Sequence, residues 1–387
     1  MKILHIAPNA PYNRGWGYQE NLLPKYHKKL GHDVTVIVQT RTHQDGKLVD
    51  TAPEDVILED GVRLIRLGWK RYPHPVITNL RAEMDVYPIL MQIRPDLVFF
   101  HGLVSATIFQ VIRYKEREAP ELVIVQDNHL DYNIGYGSHG IRQKLIRSYH
   151  RWVNRRSVPY VERVYGVTPW RRTYAQDYFG IPASKTDVLI MGADDEKVEL
   201  DRREQIRDRI RQTYGVSGDD FLVVTGGKID EKKNIHLLME ACQGLPGVKL
   251  LVFGKVAPQM QTEFDRLLRE DGQIQYIGWV DADRVYDYFF AADLVMFPGQ
   301  HSVLWEQACA AKVPCVFARW EGMDHVDVGG NSSLLDTVSP ASLAETIRQL
   351  QRTPRYDRMM AVARSEATDV FLYSKIARKS LELSEVR

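Results

Sequence analysis

Three short stretches carry the residue types that handle phosphates and sugars. The first is Gly226-Gly227-Lys228 through Lys233, which follows the apolar run FLVVT and opens a helical pattern at Asn234. Two ammonium groups at a strand end and helix start suit a diphosphate, because the lysine charges add to the unpaired amides of a first helical turn. Each such contact contributes about 0.3–1 kcal/mol when exposed, and more in a dry cleft. A solvated lysine turn is the competing reading. The second stretch is Pro298-Gly299-Gln300-His301-Ser302-Val303-Leu304-Trp305-Glu306. A strand ends there, Ser302 is expected to cap the next helix, and the amides of Ser302 and Val303 would form an anion site. Glu306 either accepts two ribose hydroxyls or complements the helix dipole. The third is Gly15-Trp16-Gly17, between KILHIAP and a helical run toward Leu30. Glycines let backbone approach a ligand. However, Glu20 stands where the GxGxxG fingerprint needs its last glycine, so a plain turn also fits. Pro24 is expected to break or kink that helix and Gly31 to end it.

Two further patterns are charged. Asp281-Ala282-Asp283 invites a metal-bound diphosphate but reads better as a cap for the helix after IGWV. Ile141 to Arg156, IRQKLIRSYHRWVNRR, carries Arg142, Lys144, Arg147, Arg151, Arg155 and Arg156 without an acid. Ile141, Leu145, Tyr149 and Trp152 repeat at helical spacing, so this is a basic amphipathic helix. It either meets anionic lipid or a lipid-diphosphate acceptor, or docks on its own domain by the apolar stripe.

The positioning elements are short runs rich in branched residues. KILHIAP, HDVTVIVQT, DLVFFHG, ELVIVQDN, RVYGVT and DVLIMG read as strands in the first half. FLVVTGG, VKLLVFG, IQYIGWV, LVMFPG and PCVFAR do so in the second. Continuous apolar runs suit strands buried on both faces. Helical patterns at Asn234–Gln243, Gln259–Arg269, Ala282–Ala291 and Ser302–Ala311 supply crossovers. The expected fold is α/β, with two doubly wound, Rossmann-like parallel sheets facing across a cleft. The domains are placed at 1–192 and 193–387, with a terminal helix at about 366–387 packing back on the first. Glu199 to Arg211 reads as a solvated helix.

Composition narrows the function classes. The chain has 387 residues, 51 Lys plus Arg against 50 Asp plus Glu, and 44% hydrophobic residues. That balance argues against a nucleic-acid binder and against disorder. The three cysteines, Cys242, Cys309 and Cys315, are too scattered for a disulfide framework or a thiolate zinc site. The apolar start is too short for a secretory signal, and Leu97 to Ile112 is too interrupted to span a bilayer. A cytoplasmic protein is expected, peripheral on the inner membrane face if the basic helix binds lipid.

Taken in order, these pieces resemble the family 4 retaining glycosyltransferases of GT-B fold. Gly15-Trp16-Gly17 with GHDVTVI resembles the family's N-terminal glycine loop and second strand. VYGVTPWRRTYAQDYFGIPASKTDVLIMGAD resembles its linking segment, here ending Met191-Gly192-Ala193-Asp194. GGKIDEKKNIHLLMEA resembles its phosphate loop, with Lys228 in place of an arginine and Lys233 five residues on. The resemblance implies a donor-binding second domain in which Gly227, Lys228, Lys233, Ser302 and Val303 hold the diphosphate. Backbone near Trp279 and Val280 would meet the base, Glu306 the ribose, and Gly15 and Gly17 would complete the donor site. The family's first glutamate is replaced by Pro298, eight residues before Glu306, and Gln300 and His301 are the candidates to take over. In the first, acceptor-binding domain, His129 of Asp127-Asn128-His129 best matches the family's cleft histidine, through its ring or its carbonyl. His101, Asp127 and Trp16 are further acceptor-side candidates.

The implied activity moves a sugar from a UDP- or GDP-linked donor to a glycan or lipid-linked acceptor in surface polysaccharide or glycoconjugate synthesis. The anomeric configuration is retained and no metal or cofactor is required. Catalysis falls to His129, Lys228 and Lys233. A nucleotide-sugar epimerase of the same fold and a catalytically weak sugar-nucleotide-binding protein are the competing readings.

Overall fold

The computed structural model describes residues 1–44, 47–132, 140–270 and 272–383, the side chains of 141 and 142 excepted. It divides into two compact units, Met1–Met191 with Ile376–Arg387, and Gly192–Lys375.

The first unit begins with β1 (Lys2–Ala7) and β2 (Asp33–Gln39), followed by a hairpin of β3 (Arg41–Gln44) and β4 (Lys47–Asp50). Then come β5 (Glu54–Ile57), β6 (Arg63–Leu67), β7 (Leu97–His101), β8 (Val123–Asn128), β9 (Arg163–Gly166) and β10 (Thr186–Val188). One eight-stranded sheet has the order β10-β9-β8-β7-β1-β2-β6-β5. Its pairs are parallel except β5 with β6. Every residue of β7 is buried, as a strand covered on both faces requires. β5 and β6 were missed in the sequence because charged residues interrupt the apolar run. Arg66 is only 5% exposed, and its guanidinium is satisfied by Glu54 at 2.6 Å and the Tyr12 carbonyl at 3.0 Å. The helix Gln19–Lys29 runs through Pro24 without the break that was one of the two expected outcomes. A proline removes one amide donor, and burial of Leu22, Leu23 and Tyr26 outweighs that loss.

The second unit holds β11 (Phe221–Ile229), β12 (Val248–Val256), β13 (Ile274–Gly278), β14 (Leu294–Phe297), β15 (Cys315–Ala318) and β16 (Ser332–Leu335). The order is β13-β12-β11-β14-β15-β16, all parallel. The crossovers include helices Ile235–Cys242, Gln261–Glu270, Val285–Ala291 and Leu304–Ala310. Strand order reverses between β11 and β14, the place where open α/β sheets bind ligands.

Three local expectations fail. The charged helix Arg203–Thr213 is not simply solvated: Arg203 and Arg211 are buried, and Arg207 and Arg211 bracket Asp293 at 2.6 and 3.0 Å. Long guanidinium stems tolerate such burial where their nitrogens find oxygens, as those of Arg207 and Arg211 do at Asp293 and nearby carbonyls. The Asp281-Ala282-Asp283 triplet does not cap its helix, whose N-cap is Arg284; Asp283 instead meets Lys197 at 2.9 Å. Nor does Ser302 cap the next helix, whose N-cap is Val303 with no side-chain bond.

The last helix, Tyr373–Leu381, begins at a backbone bridge in which the Ala193 amide donates to Phe371 and Tyr373 donates to the Ala193 carbonyl. Residues 384–387 of the expected terminal helix lie outside the described residues. Cys242, Cys309 and Cys315 are buried and form no disulfide among the described residues. No described helix is long and apolar enough to cross a membrane.

Candidate functional site

The loops that follow β11 and β14 are tied together. Lys228 is the penultimate residue of β11; its side chain is 70% exposed and meets Asp230 at 3.0 Å. The Asp230 carboxylate also accepts the Lys232 amide at 3.1 Å and so starts the turn Glu231–Lys233. Lys233 then swings its ammonium under the second loop, donating to the carbonyls of Gln300 at 2.6 Å and His301 at 3.1 Å. The Gln300 amide returns a bond to the Lys232 carbonyl at 3.0 Å, and Asn234 Nδ2 donates to the Pro298 carbonyl at 3.0 Å. Gly299 is required by this approach, since a Cβ there would lie 2.3 Å from the Lys233 backbone.

Burial pulls the Lys233 ammonium down to about 8, with Lys228 acting in the same direction and Asp230 opposing. An ammonium has three hydrogens, and carbonyls take two of them. Among the described residues no bond of its third hydrogen is seen.

Glu306 sits in the first turn of Leu304–Ala310 and is fully buried. Its Oε1 accepts from His301 Nε2 at 2.7 Å and His325 Nε2 at 2.8 Å, while Oε2 is buried without a partner among the described residues. Burial alone would raise this carboxyl. The two histidines more than reverse that, and it is held far below the usual glutamate range. Trp305 behind it stacks on Phe317 at 4.5 Å. The ligand atoms of His301, Glu306 and His325 lie within 4.8 Å of one another, a spacing that could also hold a cation. The observed distances are those of charge-assisted N–H···O bonds. His325 had no sequence signal, because it comes from a separate loop 19 positions beyond Glu306.

The structure therefore brings Lys233, Gln300, His301 and Glu306 into one neighbourhood, with Gly227 and Lys228 at the adjoining strand end. Leu304 lies 3.2 Å from where a Gly227 Cβ would be. Ser302 and Val303 follow in the same loop. Trp279, 71% exposed, and Val280 follow β13 at the sheet edge, two strands from β11.

In the first unit, Gly15 takes φ +76°, and Gly17 precedes the helix that starts at Gln19. Trp16 stacks on His43 at 5.4 Å. His129 follows β8 with its side chain one-third exposed (33%), and its Nε2 lies 3.5 Å from Asp127 Oδ2. Burial would lower the ring's proton affinity, but Asp127 and Glu20 raise it above the ordinary histidine value despite Arg171. Asp127 and His101 are 0% and 4% exposed. His101 Nδ1 lies 2.6 Å from Asp127 Oδ2. The sequence reading also missed His5 and His27, which join this group. Polar residues at inward positions of an apolar run were the available signal. Of the adjoining loop, residues 133–138 lie outside the described residues.

Comparison with known proteins follows the same two-part division. Residues 21–192 match the Glycosyl transferase 4-like domain family, and residues 219–353 match Glycosyl transferases group 1. A Bacillus subtilis protein named as a teichuronic acid biosynthesis glycosyltransferase, TuaC, is 33% identical over 364 residues, covering 86% of this chain and 83% of that protein. A Rickettsia africae glycosyltransferase has a similar fold, with TM-score 0.72, 15% identity and coverage of 100% and 98% of the two chains. Anabaena HepE, solved with UDP and glucose, has TM-score 0.63, 16% identity and coverage of 99% and 98%.

Proposed function

The chain belongs to the group 1 glycosyltransferases with a 4-like N-terminal domain, and from that premise we propose which transfer it performs. The donor is a nucleotide-diphosphate sugar. Its diphosphate lies against the β11 and β14 loops, and the acceptor is a glycan or lipid-linked sugar of a surface polysaccharide or glycoconjugate. The observation that carries the donor assignment is Lys233: a largely buried ammonium, its proton affinity lowered by that burial, that ties the two loops together at the point where strand order reverses. UDP in HepE and the teichuronic acid assignment of TuaC support the donor class and the polymer class.

Glycosyl transfer passes through an oxocarbenium-like state as the nucleotide diphosphate leaves with growing negative charge. Lys233, Lys228 and the amides around Ser302–Val303 would stabilise that charge electrostatically. Retention follows if the acceptor attacks from the side the diphosphate leaves, the departing phosphate taking the acceptor's proton. Fixed cations then supply what a divalent metal supplies elsewhere, so the reaction needs none. In the first domain, His129 would hydrogen-bond an acceptor hydroxyl. Glu306, whose Oε2 is unpartnered, would accept ribose hydroxyls while its Oε1 stays with the two histidines.

The helix Ile141–Ser157 leaves Leu145 and Trp152 67% and 46% exposed while burying Val153 and Asn154. Leu145 and Trp152 are available to the lipid reading of the basic helix, while Tyr149 of the same stripe packs against the core of the first unit. The side chains of Ile141 and Arg142 are outside the described residues.

A thermal-shift screen with UDP, GDP and their sugars tests the donor assignment. Stabilisation by one diphosphate and its sugar is expected. Absence of a shift with any of them, at concentrations that stabilise a known family member, overturns it.

A further inference from the structure

The loop after β14 has spent much of its hydrogen-bonding capacity on the protein itself. Asn234 Nδ2 donates to the Pro298 carbonyl, and Lys233 to the carbonyls of Gln300 and His301. His301 Nε2 is engaged with Glu306 Oε1 at 2.7 Å. The remaining carbonyl, that of Gly299, is met from another side: Trp320 Nε1 donates to it at 3.0 Å. With Pro298 standing where the family has its first glutamate, residues 298–302 hold no carboxylate. The loop therefore has little left with which to grip a sugar, and the neighbouring loop touches it through an indole.

That neighbouring loop follows β15. β15 runs parallel beside β14, with Phe317 opposite Phe297, so the two loops leave the carboxyl edge of the sheet side by side. Two residues past β15 the chain turns, the Met323 amide donating to the Trp320 carbonyl at 3.1 Å with Gly322 at φ +64°. Met323 and Val326 are buried, and His325 Nε2 meets Glu306 Oε1 at 2.8 Å. The segment is thus pinned to Gly299 at one end and to Glu306 at the other. Trp320 nevertheless stays 40% exposed. Covering a ring of that size is favourable, and fixing it beforehand lowers the entropy that a ligand must lose on binding. A fixed aromatic face beside a polar loop is a surface on which the C–H face of a pyranose can pack.

We propose that Trp320 is a further donor-binding residue, the platform on which the donor's hexose packs. The inference deepens the reading of the β11 and β14 loops as the diphosphate site and rests on it. Its place follows from the anchors. A Cβ on Gly299 would lie 2.3 Å from the Lys233 backbone, so the indole is tied to the same backbone crossing that carries the ammonium. The sugar is bonded to the diphosphate and must begin close to that ammonium. The base is assigned to Trp279 and Val280 beyond β13, on the opposite side of β11 and β14 from β15. The β15 side is left to the sugar. Packing on an indole needs no hydroxyl acceptor, which suits a loop in which Pro298 has replaced a carboxylate.

Equilibrium binding to the full-length protein tests this, with UDP or GDP, whichever stabilises the parent, and the sugar nucleotide of the same base that does so. Trp320→Ala should weaken the sugar nucleotide roughly 10-fold and leave the free diphosphate within about twofold. Trp320→Phe keeps a ring but loses the N–H that holds Gly299, and should retain the sugar nucleotide within about threefold. In fluorotryptophan-labelled parent protein, the fluorine resonance that is missing from Trp320→Phe should move with the sugar nucleotide and stay in place with the diphosphate. That measurement does not depend on the alanine variant folding. Equal loss of both ligands in Trp320→Ala would make the indole a clip for the loop, or a base contact, and overturn the proposal. So would no loss of either, or a resonance that the sugar nucleotide leaves unmoved. A parent that binds the diphosphate but shows none of these differences strikes Trp320 alone. A parent that binds neither diphosphate removes the donor site and the platform together.

Discussion

Lys233→Met should damage donor use far more than Lys228→Met. Lys233 gives two hydrogens to the Gln300 and His301 carbonyls, in a largely buried setting. A unit charge about 4 Å from a phosphate oxygen at an effective dielectric near 20 is worth about 4 kcal/mol. Partial desolvation of the ion pair takes back a share of this, leaving about 3 kcal/mol, or roughly 100-fold in kcat/KM for the donor. The Lys228 side chain is 70% exposed, so screening leaves about 1 kcal/mol or less, no more than roughly 5-fold. The assay is initial-rate nucleotide release against donor concentration. Losing the two loop bonds also loosens the site, and pH separates the effects. The parental ammonium loses its proton as pH rises through about 8, so donor kcat/KM should be level below that point and fall above it. Lys233→Met should be slow and lack that limb, whereas a merely loosened loop would keep it. A variant within threefold of the parent, or one with the same alkaline limb, refutes the assignment.

Gly299→Ala places a methyl 2.3 Å from the Lys233 backbone. It should therefore cost about 1–3 kcal/mol by denaturant unfolding and weaken UDP or GDP binding together with stability; unchanged stability would mean the loops are not in contact. Glu306 is depressed in the folded state, so its contribution to stability is present above the ordinary glutamate value of 4.5 and lost as pH falls below it. Glu306→Gln should flatten that acid slope in a melting series, and an unchanged slope would show that the carboxylate is not paired. Chelation with EDTA should leave turnover unaltered if lysines carry the leaving group. Loss of activity restored by a divalent ion would point to His301, Glu306 and His325 as its holder. Leu145→Ser with Trp152→Ser should abolish sedimentation with anionic vesicles while leaving turnover on a soluble acceptor near parental. Equal sedimentation of parent and variant would count against the lipid face.

The parallel-sheet architecture was legible because β1, β2, β7, β8, β11, β12, β14 and β15 are runs of apolar residues that end in glycine or polar loops. A strand covered by helices on both faces can hardly be written any other way. β5, β6 and β16 were not legible. Arg63 and Arg66 break the run in β6, and their partners Asp55 and Glu54 lie across the strand pair rather than in the local pattern. The lysine loop was legible for a related reason: Lys228 and Lys233 sit where one run stops and a helix begins. Its bond to the 298–302 loop was not, since the partners are 67 and 68 positions away and are backbone carbonyls, which every residue has.

Three buried histidines mark the deeper boundary of sequence reading. His5, His27 and His101 look like isolated polar residues in or beside apolar segments, and each one alone would be a burial penalty. The penalty disappears only when the partner is known, and the partners are 22, 96 and 353 positions apart. Local periodicity carries no information over such spans. What the sequence does carry is the anomaly: a histidine at an inward position of β1, another at the end of β7, and an aspartate at the matching register of β8. The parallel register sets His101 beside Asp127. β1 lies on the other side of β7, with His5 two residues further from the strand ends. Once the strand order is fixed, three polar residues that make no sense separately must fall on adjacent strands of one sheet. Strand order is therefore the missing piece that turns scattered polar residues into a site, and a reading that predicts topology before assigning histidines would have found His5.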